Sequence, residues 1–369
     1  VARQLLIGVA TTVVPCDKTG KTVSRFFSRL ARLASERGGE LILFHPARID
    51  FARGRVVGYM LAGGDTERWV YREERLPSAI YENVYVHLVV QGLTKGLRLQ
   101  AKAKGIPFFN PVIYGKWTMH RFVERHPECG LLVPETRRVE NERVVRAMLD
   151  RYGTVYVKPI GGYGGRGVLR VQRQGERYQV DADSFGGAHG SLHSRFTEAE
   201  LRTFITRTAR RSPHIVQQQI PLLQLSRGRK ADFRVVVQRD GQGEWQLVGI
   251  VPKVTAAGGV VTNLVAGGSR GTWDGIIENL GQRAKGLSKK PLESSALALA
   301  SILSAVYPTL GIVGYDLGLD EQGRVWLIEV NPKPARSLLD GEMRKRSARL
   351  AVDFTLFLAR RSRSVNADM

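Results

Sequence analysis

Cysteine is scarce. The 369 residues hold only Cys16 and Cys129, too few for a disulfide framework or a cysteine-built zinc site, which points to a reducing compartment. Long apolar runs are missing as well. No stretch approaches the roughly 18 apolar residues of a membrane-spanning helix, so no membrane partner is expected. Residues 5–14 are broken by Thr11 and Thr12 and preceded by Arg3 alone, and they read as a buried strand rather than a signal peptide. Internal repeats and low-complexity tracts are absent. Negative charge is in short supply: 34 acidic residues stand against 56 basic ones, a net charge of +22. The excess is arginine scattered along the chain, which fits either a polyanionic partner or a solvated basic surface. Nucleic acid is a candidate partner on charge alone, but no helix-turn-helix, zinc-finger or RRM signature supports it. The kinase tripeptides His-Arg-Asp and Asp-Phe-Gly are also missing.

What is present is ordinary globular composition, 43% hydrophobic and 24% charged, on a chain long enough for two or three units of about 100–200 residues. The first third alternates strand and helix. Residues 5–14 and 41–44 are strands around a helix over 23–37, where Phe26, Phe27, Leu30, Leu33 and Ala34 recur at helical spacing and Gly38-Gly39 ends the run. Residues 78–85 and 106–109 add strands, so a parallel α/β sheet is expected. Helices follow at 116–125 and 141–152. Strand signals then dominate at 155–160, 168–171, 215–219, 233–238 and 245–251, before an apolar helix at 292–306. Residues 182–194, rich in Gly, Ser and Ala, read as a mobile loop, with His189 and His193 as exposed loop residues. The polar stretch after 360 reads as a frayed tail.

The first chemical signal is residues 156–168. Gly162, Gly164 and Gly167 satisfy GxGxxG, but the dinucleotide fingerprint needs a helix next, and Val168-Leu169-Arg170-Val171 is a strand. Strand, glycine loop and strand make a flap. Backbone at Gly161, Gly162, Gly164, Gly165 and Gly167 can close over phosphates and offer N–H groups, and Lys158 on the entering strand can add an ammonium. The plain alternative is a glycine-rich hairpin with a surface lysine.

The second signal is a hairpin in which residues 312–319 and 325–330 flank the turn Asp320-Glu321-Gln322-Gly323. Alternation puts Glu329 and Asn331 on one face. Folding back brings Asp316 opposite 327–329, give or take a bulge. Two carboxylates and an amide oxygen on an otherwise apolar strand pair suit Mg²⁺, or Mn²⁺, held jointly with substrate phosphates. The alternative is a hairpin with acids at an exposed end.

A lysine and glycine flap followed by Asp…Glu-x-Asn resembles the ATP-grasp superfamily. The resemblance implies an ATP-grasp fold, α/β and α+β, behind an N-terminal α/β domain. Its expected units are residues 1–112, a small subdomain with the flap at 113–214, a large subdomain with the metal site at 215–360, and the tail 361–369. It implies that Lys116 and Lys158 bind phosphate and that Gln218 and Gln219 read adenine from the hinge strand. Asp232 matches the ribose or nearby acidic position. Arg234 matches a basic residue facing the transferred phosphoryl group. Residues 262–268 resemble the Ser-Asn-Leu-x-x-Gly-Gly stretch of glutamate-adding ligases, so Asn263 joins Arg234 as a candidate for holding an acyl phosphate. Asp316, Glu329 and Asn331 match the metal ligands. Over nearly its full length the chain is similar to the YheC/YheD family of spore-forming bacteria, described as endospore coat-associated.

The implied activity is ADP-forming ligation of a carboxylate to an amine, with ATP and Mg²⁺ and no covalent enzyme intermediate. One substrate is expected to be acidic, facing Arg234, Lys253 and Arg270. The implied location is cytoplasmic, or spore-associated. The rival is a nucleotide-binding scaffold of the spore coat without turnover.

Overall fold

The computed structural model describes residues 4–62, 68–111, 113, 115–161, 165–185, 190–262 and 267–367. Three sheets organise them. In the N-terminal sheet, strand Leu5–Ala10 lies parallel to both Gly39–Phe44 and Ala79–Glu82, and Phe108–Phe109 continues the parallel order. The expected α/β pattern is therefore present. A hairpin of Arg55–Leu61 and Trp69–Arg75 extends this sheet antiparallel to Gly39–Phe44, an addition not read from the sequence.

The middle sheet is antiparallel in its strand pairs, with Thr154–Pro159 at its centre between Leu169–Gln174 and His214–Gln218. Helices Glu142–Tyr152 and Glu198–Arg211 pack on it around Val145, Leu149, Val157, Val171 and Ile205. Asn141 caps the first by accepting from the Arg143 N–H. Thr197 and Glu200 form a capping box on the second. Residues 182–194 are not one loop, since strand Leu192–Phe196 takes up its end and carries His193.

The C-terminal sheet pairs Trp245–Val254, Ala231–Arg239, Ile312–Leu319 and Val325–Asn331 in antiparallel order. Its strands sort their residues by alternation. Phe233, Val235, Val237, Val313, Tyr315 and Leu317 face a core under helix Lys290–Val306. Asp232, Arg234 and Asp316 occupy the alternate positions and face away from it.

The final helix, Gly341–Ala367, runs through the segment expected to fray. Its Phe354, Leu356 and Ala359 share a core with Ile7, Phe27 and Leu41 of the N-terminal sheet layer and with Val236 of the C-terminal sheet. Phe109 stacks on Tyr81 at 4.7 Å between centroids and meets Phe354 edge-on at 5.1 Å. Gly311 makes this junction possible, because a Cβ there would collide with the rings of both Phe354 and Phe109. Beside it, the Asn110 amide donates to the carbonyls of Ile312 (2.6 Å) and Pro332 (2.8 Å) and accepts from the N–H groups of Gly311 and Ile312. Gly311→Ala should lower stability by about 1–3 kcal/mol through overpacking. Urea denaturation measures this, and an unchanged midpoint would show that the N-terminal sheet, the C-terminal sheet and the final helix do not meet tightly at this point.

Candidate active site

Between the middle and C-terminal sheets lies a cleft of about 920 Å³. Tyr156, Lys158, Gly165, Arg166 and Val168 line it from the flap side. Asp232, Lys253, Asp316, Ile328 and Glu329 line it from the hairpin side. The strand, glycine turn and strand arrangement is present in its described parts. Thr154–Pro159 and Leu169–Gln174 pair antiparallel, and Gly165 and Gly167 turn the chain with φ of 75° and 70°, a conformation that favours glycine. Gly162 and Gly164 lie outside the described residues, as do Asn263 and His189.

The hairpin turns on Asp320, which is 1% exposed. Its carboxylate accepts from the Gln322 and Arg324 N–H groups, from Arg324 Nε (2.7 Å) and from Trp326 Nε1 (2.9 Å). Along the strands, Leu317 faces Leu327 but Asp316 faces Glu329, so Ile328 is an extra residue in the second strand. This bulge decides the site. Strict alternation would put Glu329 on the same face as the core residues Val325 and Leu327. The inserted residue turns Glu329 and Asn331 to the Asp316 side instead.

Asp316 sits among cations. Arg234 forms a two-point pair with it, Nε to Oδ1 at 2.7 Å and Nη2 to Oδ2 at 3.1 Å. Lys253 Nζ lies 3.0 Å from Asp316 Oδ1 and 2.9 Å from Asp232 Oδ1. The Thr262 hydroxyl donates to Asp232 Oδ2. Asn331 Nδ2 approaches Asp316 Oδ2 at 3.5 Å. Burial opposes the Asp316 carboxylate, but Lys253 and Arg234 outweigh it and hold its pKa well below the usual range. Burial likewise works against the Lys253 ammonium, and Asp232 and Asp316 overcome it and raise its pKa. For Asp232, burial wins and pushes the carboxyl up.

The phosphate-binding candidates stand across the cleft. Lys116, at the start of helix Lys116–Glu124, lies 3.4 Å from Glu329 Oε1. Lys158 Nζ donates to Gln217 Oε1 at 2.5 Å, and Gln217 Nε2 donates to Thr136 Oγ1 at 2.9 Å. Beneath them His120 is buried, and its pKa falls to about 4 through burial and then the charges of Lys158 and Arg121. Burial, chiefly, brings the Lys158 pKa down from 10.5 to about 8.

Lys116, Lys158, Gly165, Gln218, Asp232, Asp316 and Glu329 thus share one cleft. Gln219 does not line it; its N–H reaches the Thr154 carbonyl at 3.4 Å. Gln218 does, and its side-chain oxygen accepts from the Glu135 N–H. Arg270 is also elsewhere, paired with Asp340 at 3.6 Å, so it adds nothing to a cationic cleft wall. The charges of Arg234 and Lys253 are met by Asp316 and Asp232.

Lys230 and Gln217 are among the cleft residues that escaped the sequence reading. Lys230 carried a readable signal, since it lies at alternate spacing with Asp232 and Arg234. Gln217 did not, because a run of three glutamines does not show which side chain faces inward. Among the described residues no three His, Cys, Asp or Glu side chains form a metal cluster by themselves. The oxygen donors of Asp316, Glu329 and Asn331 still fit Mg²⁺, which binds through one or two carboxylates when phosphates complete its shell.

A sequence model described as YheC/D like ATP-grasp matches residues 105–358, more than half of the chain. The chain belongs to the YheC/D-like ATP-grasp family. It is 26% identical over 346 residues to the endospore coat-associated protein YheD of Bacillus subtilis (strain 168), covering 90% of this chain and 73% of that one. It is 23% identical to YheC of the same organism, covering 84% and 85%. Among solved structures it is similar to a RiPP-associated ATP-grasp ligase from Chryseobacterium gregarium in complex with ADP and a leader and core peptide. That match has a TM-score of 0.54 at 12% identity over 96% of this chain and 97% of the other. The ATP-grasp fold, with an α/β unit ahead of the matched region, is therefore that of this YheC/D-like chain.

Asp316→Asn should cost about 3–5 kcal/mol, because it leaves two buried cations facing the Asp232 carboxyl alone. Denaturant unfolding at neutral pH measures it, and a loss below 1 kcal/mol, within the range of about 0–1 for exposed pairs, would show that water screens the group.

Proposed function

We propose that the chain is an ATP-dependent ligase that activates a carboxylate as an acyl phosphate and passes the acyl group to an amine, releasing ADP and phosphate. The observation that carries this reading is the meeting of Lys116 and Lys158 with Glu329, Asp232 and Asp316 in one cleft under a glycine flap. Tyr156, Val168, Ile220, Leu222 and Ile328 give it apolar walls for an adenine ring, and Gln218 offers an amide beside them. Lys116, Lys158 and the flap N–H groups neutralise the phosphate oxygens. Asp316, Glu329 and Asn331 would hold Mg²⁺, which shields charge on the transferring phosphoryl group.

A free carboxylate resists nucleophiles because of its negative charge. Attack of its oxygen on the γ-phosphorus, with departure of ADP, turns that oxygen into part of a phosphate leaving group. The amine then adds to the acyl carbon, loses a proton and expels phosphate. We assign Arg234 and Asn263 to hold the acyl phosphate, and no enzyme nucleophile is required. We place the chain in the cytoplasm, or in association with the spore or its coat, the latter on the names of its relatives. The division at residues 112 and 214 is our proposal for its units.

A second reading, nucleotide binding without turnover, draws on one observation: Asp316 spends both oxygens on Arg234 and Lys253. Phosphate release separates the two. With heavy-oxygen label in the carboxylate, ligation puts label into phosphate. Label in AMP, with pyrophosphate as co-product, refutes the acyl phosphate. Glu329→Gln should lower kcat by about a hundredfold or more while the unfolding midpoint holds.

The Lys158 pKa near 8 gives a further test. Its ammonium is present below that value and lost above it, so the metal-free protein's nucleotide affinity should fall as pH rises through about 8. Lys158→Ala should bind weakly and show no such step. Stability runs the other way. The unfolded chain keeps this proton up to the ordinary value, so stability gains between about 8 and 10.5. A wild-type affinity flat across that window would remove Lys158 from phosphate binding.

A further inference from the structure

A second cavity, of about 1610 Å³, lies at the far end of the hairpin. One wall is the carboxyl end of strand Ala79–Glu82 and the residues after it, Asn83 to Tyr85. Crevices beyond the carboxyl ends of parallel strands are the usual ligand sites of open α/β sheets. The opposite wall is Pro332 to Ser337, the segment that follows Asn331 directly. That segment is seated tightly on the hairpin: a Cβ at Gly314, the residue paired with Asn331, would lie 2.7 Å from Pro334 Cβ. The cavity and the phosphoryl-transfer cleft therefore share the end of one strand.

The charge in this cavity is lopsided. Lys333, Arg336 and Arg344 line it, and Glu82 is the one acid among the described lining residues. Glu82 is already committed. It is 2% exposed and receives Arg98 through Nε (2.9 Å) and Nη2 (2.7 Å), the Thr94 hydroxyl (2.9 Å) and Lys333 Nζ (2.7 Å). It is not available to Arg336 or Arg344, and neither pairs with a carboxylate among the described residues.

Arg336 is nevertheless held in place. Its guanidinium carbon stands 3.7 Å over the centroid of the Phe26 ring, and Nη1 donates to Asn83 Oδ1 at 2.6 Å. Its partners are an aromatic face, a neutral amide and the Tyr81 hydroxyl, none of them a carboxylate. A planar cation fixed this way has donors left for a carboxylate, and its ordering cost is already met by the fold.

Resting on the ligase reading above, we propose that this cavity holds the carboxylate substrate and that the substrate carries two carboxylates. One is clamped by Arg336, with Arg344 beside it. The other is presented past Asn331 to the nucleotide cleft, where it is activated. The acidic-substrate expectation thus moves from Arg234, Lys253 and Arg270 to Arg336 and Arg344.

The test is equilibrium binding to the full chain of the dicarboxylates malonate through adipate, their half-amides and inorganic phosphate, with Mg²⁺ and a non-hydrolysable ATP analogue present. At least one dicarboxylate should bind about tenfold or more tighter than its half-amide, the loss of one charge-assisted pair. Arg336→Gln should erase that preference and Arg336→Lys should restore part of it, with analogue affinity unchanged in both variants. Three results overturn the proposal: no dicarboxylate binding, a preference that survives Arg336→Gln, or phosphate binding as well as the best dicarboxylate. In each, intact analogue binding and turnover with a mono-acid would leave the ligase reading standing. Loss of analogue binding by wild-type protein would sink that reading instead.

Discussion

Asp316 is the constraint around which the rest is arranged. A carboxylate this deeply buried persists only with cations against it; Arg234 supplies one from the adjacent strand, Ala231–Arg239, and Lys253 the other from the strand beyond it, Trp245–Val254. Lys253 then needs a second carboxylate, Asp232, which Thr262 steadies. The four ionised side chains form a nearly neutral cluster on a chain of net charge +22. Its geometry fixes three strands relative to one another at the point where the cleft opens. The same cluster ties the loop at Thr262 to the sheet. The Asp183 carboxylate, from the flap side, accepts the N–H groups of Val260 and Val261 in that loop. The two walls of the cleft are thus linked through a single ionic and hydrogen-bonded path.

The hairpin was readable because alternation is a local property. Ile312 to Leu319 and Val325 to Asn331 carry their apolar and polar residues in phase, and Asp320 with Gly323 marks the turn. Within it, the bulge at Ile328 could be allowed for but not located, since its position is fixed by which residues the facing strand offers. The flap was readable for the same reason: Lys158 enters on a strand, and no helix follows Gly167. The hinge was only half legible. Gln218 reaches the cleft and Gln219 does not, because the strand His214–Gln218 ends there and the chain turns away.

What stayed hidden depends on distant partners. Trp69–Arg75 carries Arg72, Glu73, Glu74 and Arg75 in a row, a charge pattern that suits an exposed edge of a hairpin but says nothing of strand by itself. Helix Glu198–Arg211 is rich in arginine, and its Thr197–Glu200 capping box was the one local sign of it. Helix Gly341–Ala367 has buried Phe354, Leu356 and Ala359 beside several arginines, so its apolar stripe becomes evident only once the N-terminal sheet is placed beneath it.

That last packing has a consequence for biosynthesis. Chains emerge from the ribosome amino end first, and units generally fold in that order. Here one face of the N-terminal sheet is covered by helix Gly341–Ala367, which is made after the strands of both other sheets. Ile7, Leu41 and Phe27 must wait for Phe354 and Leu356 before their shared core closes. Completion of this layer therefore waits until the strands of the other two sheets have been made, and its apolar face stays open in the meantime.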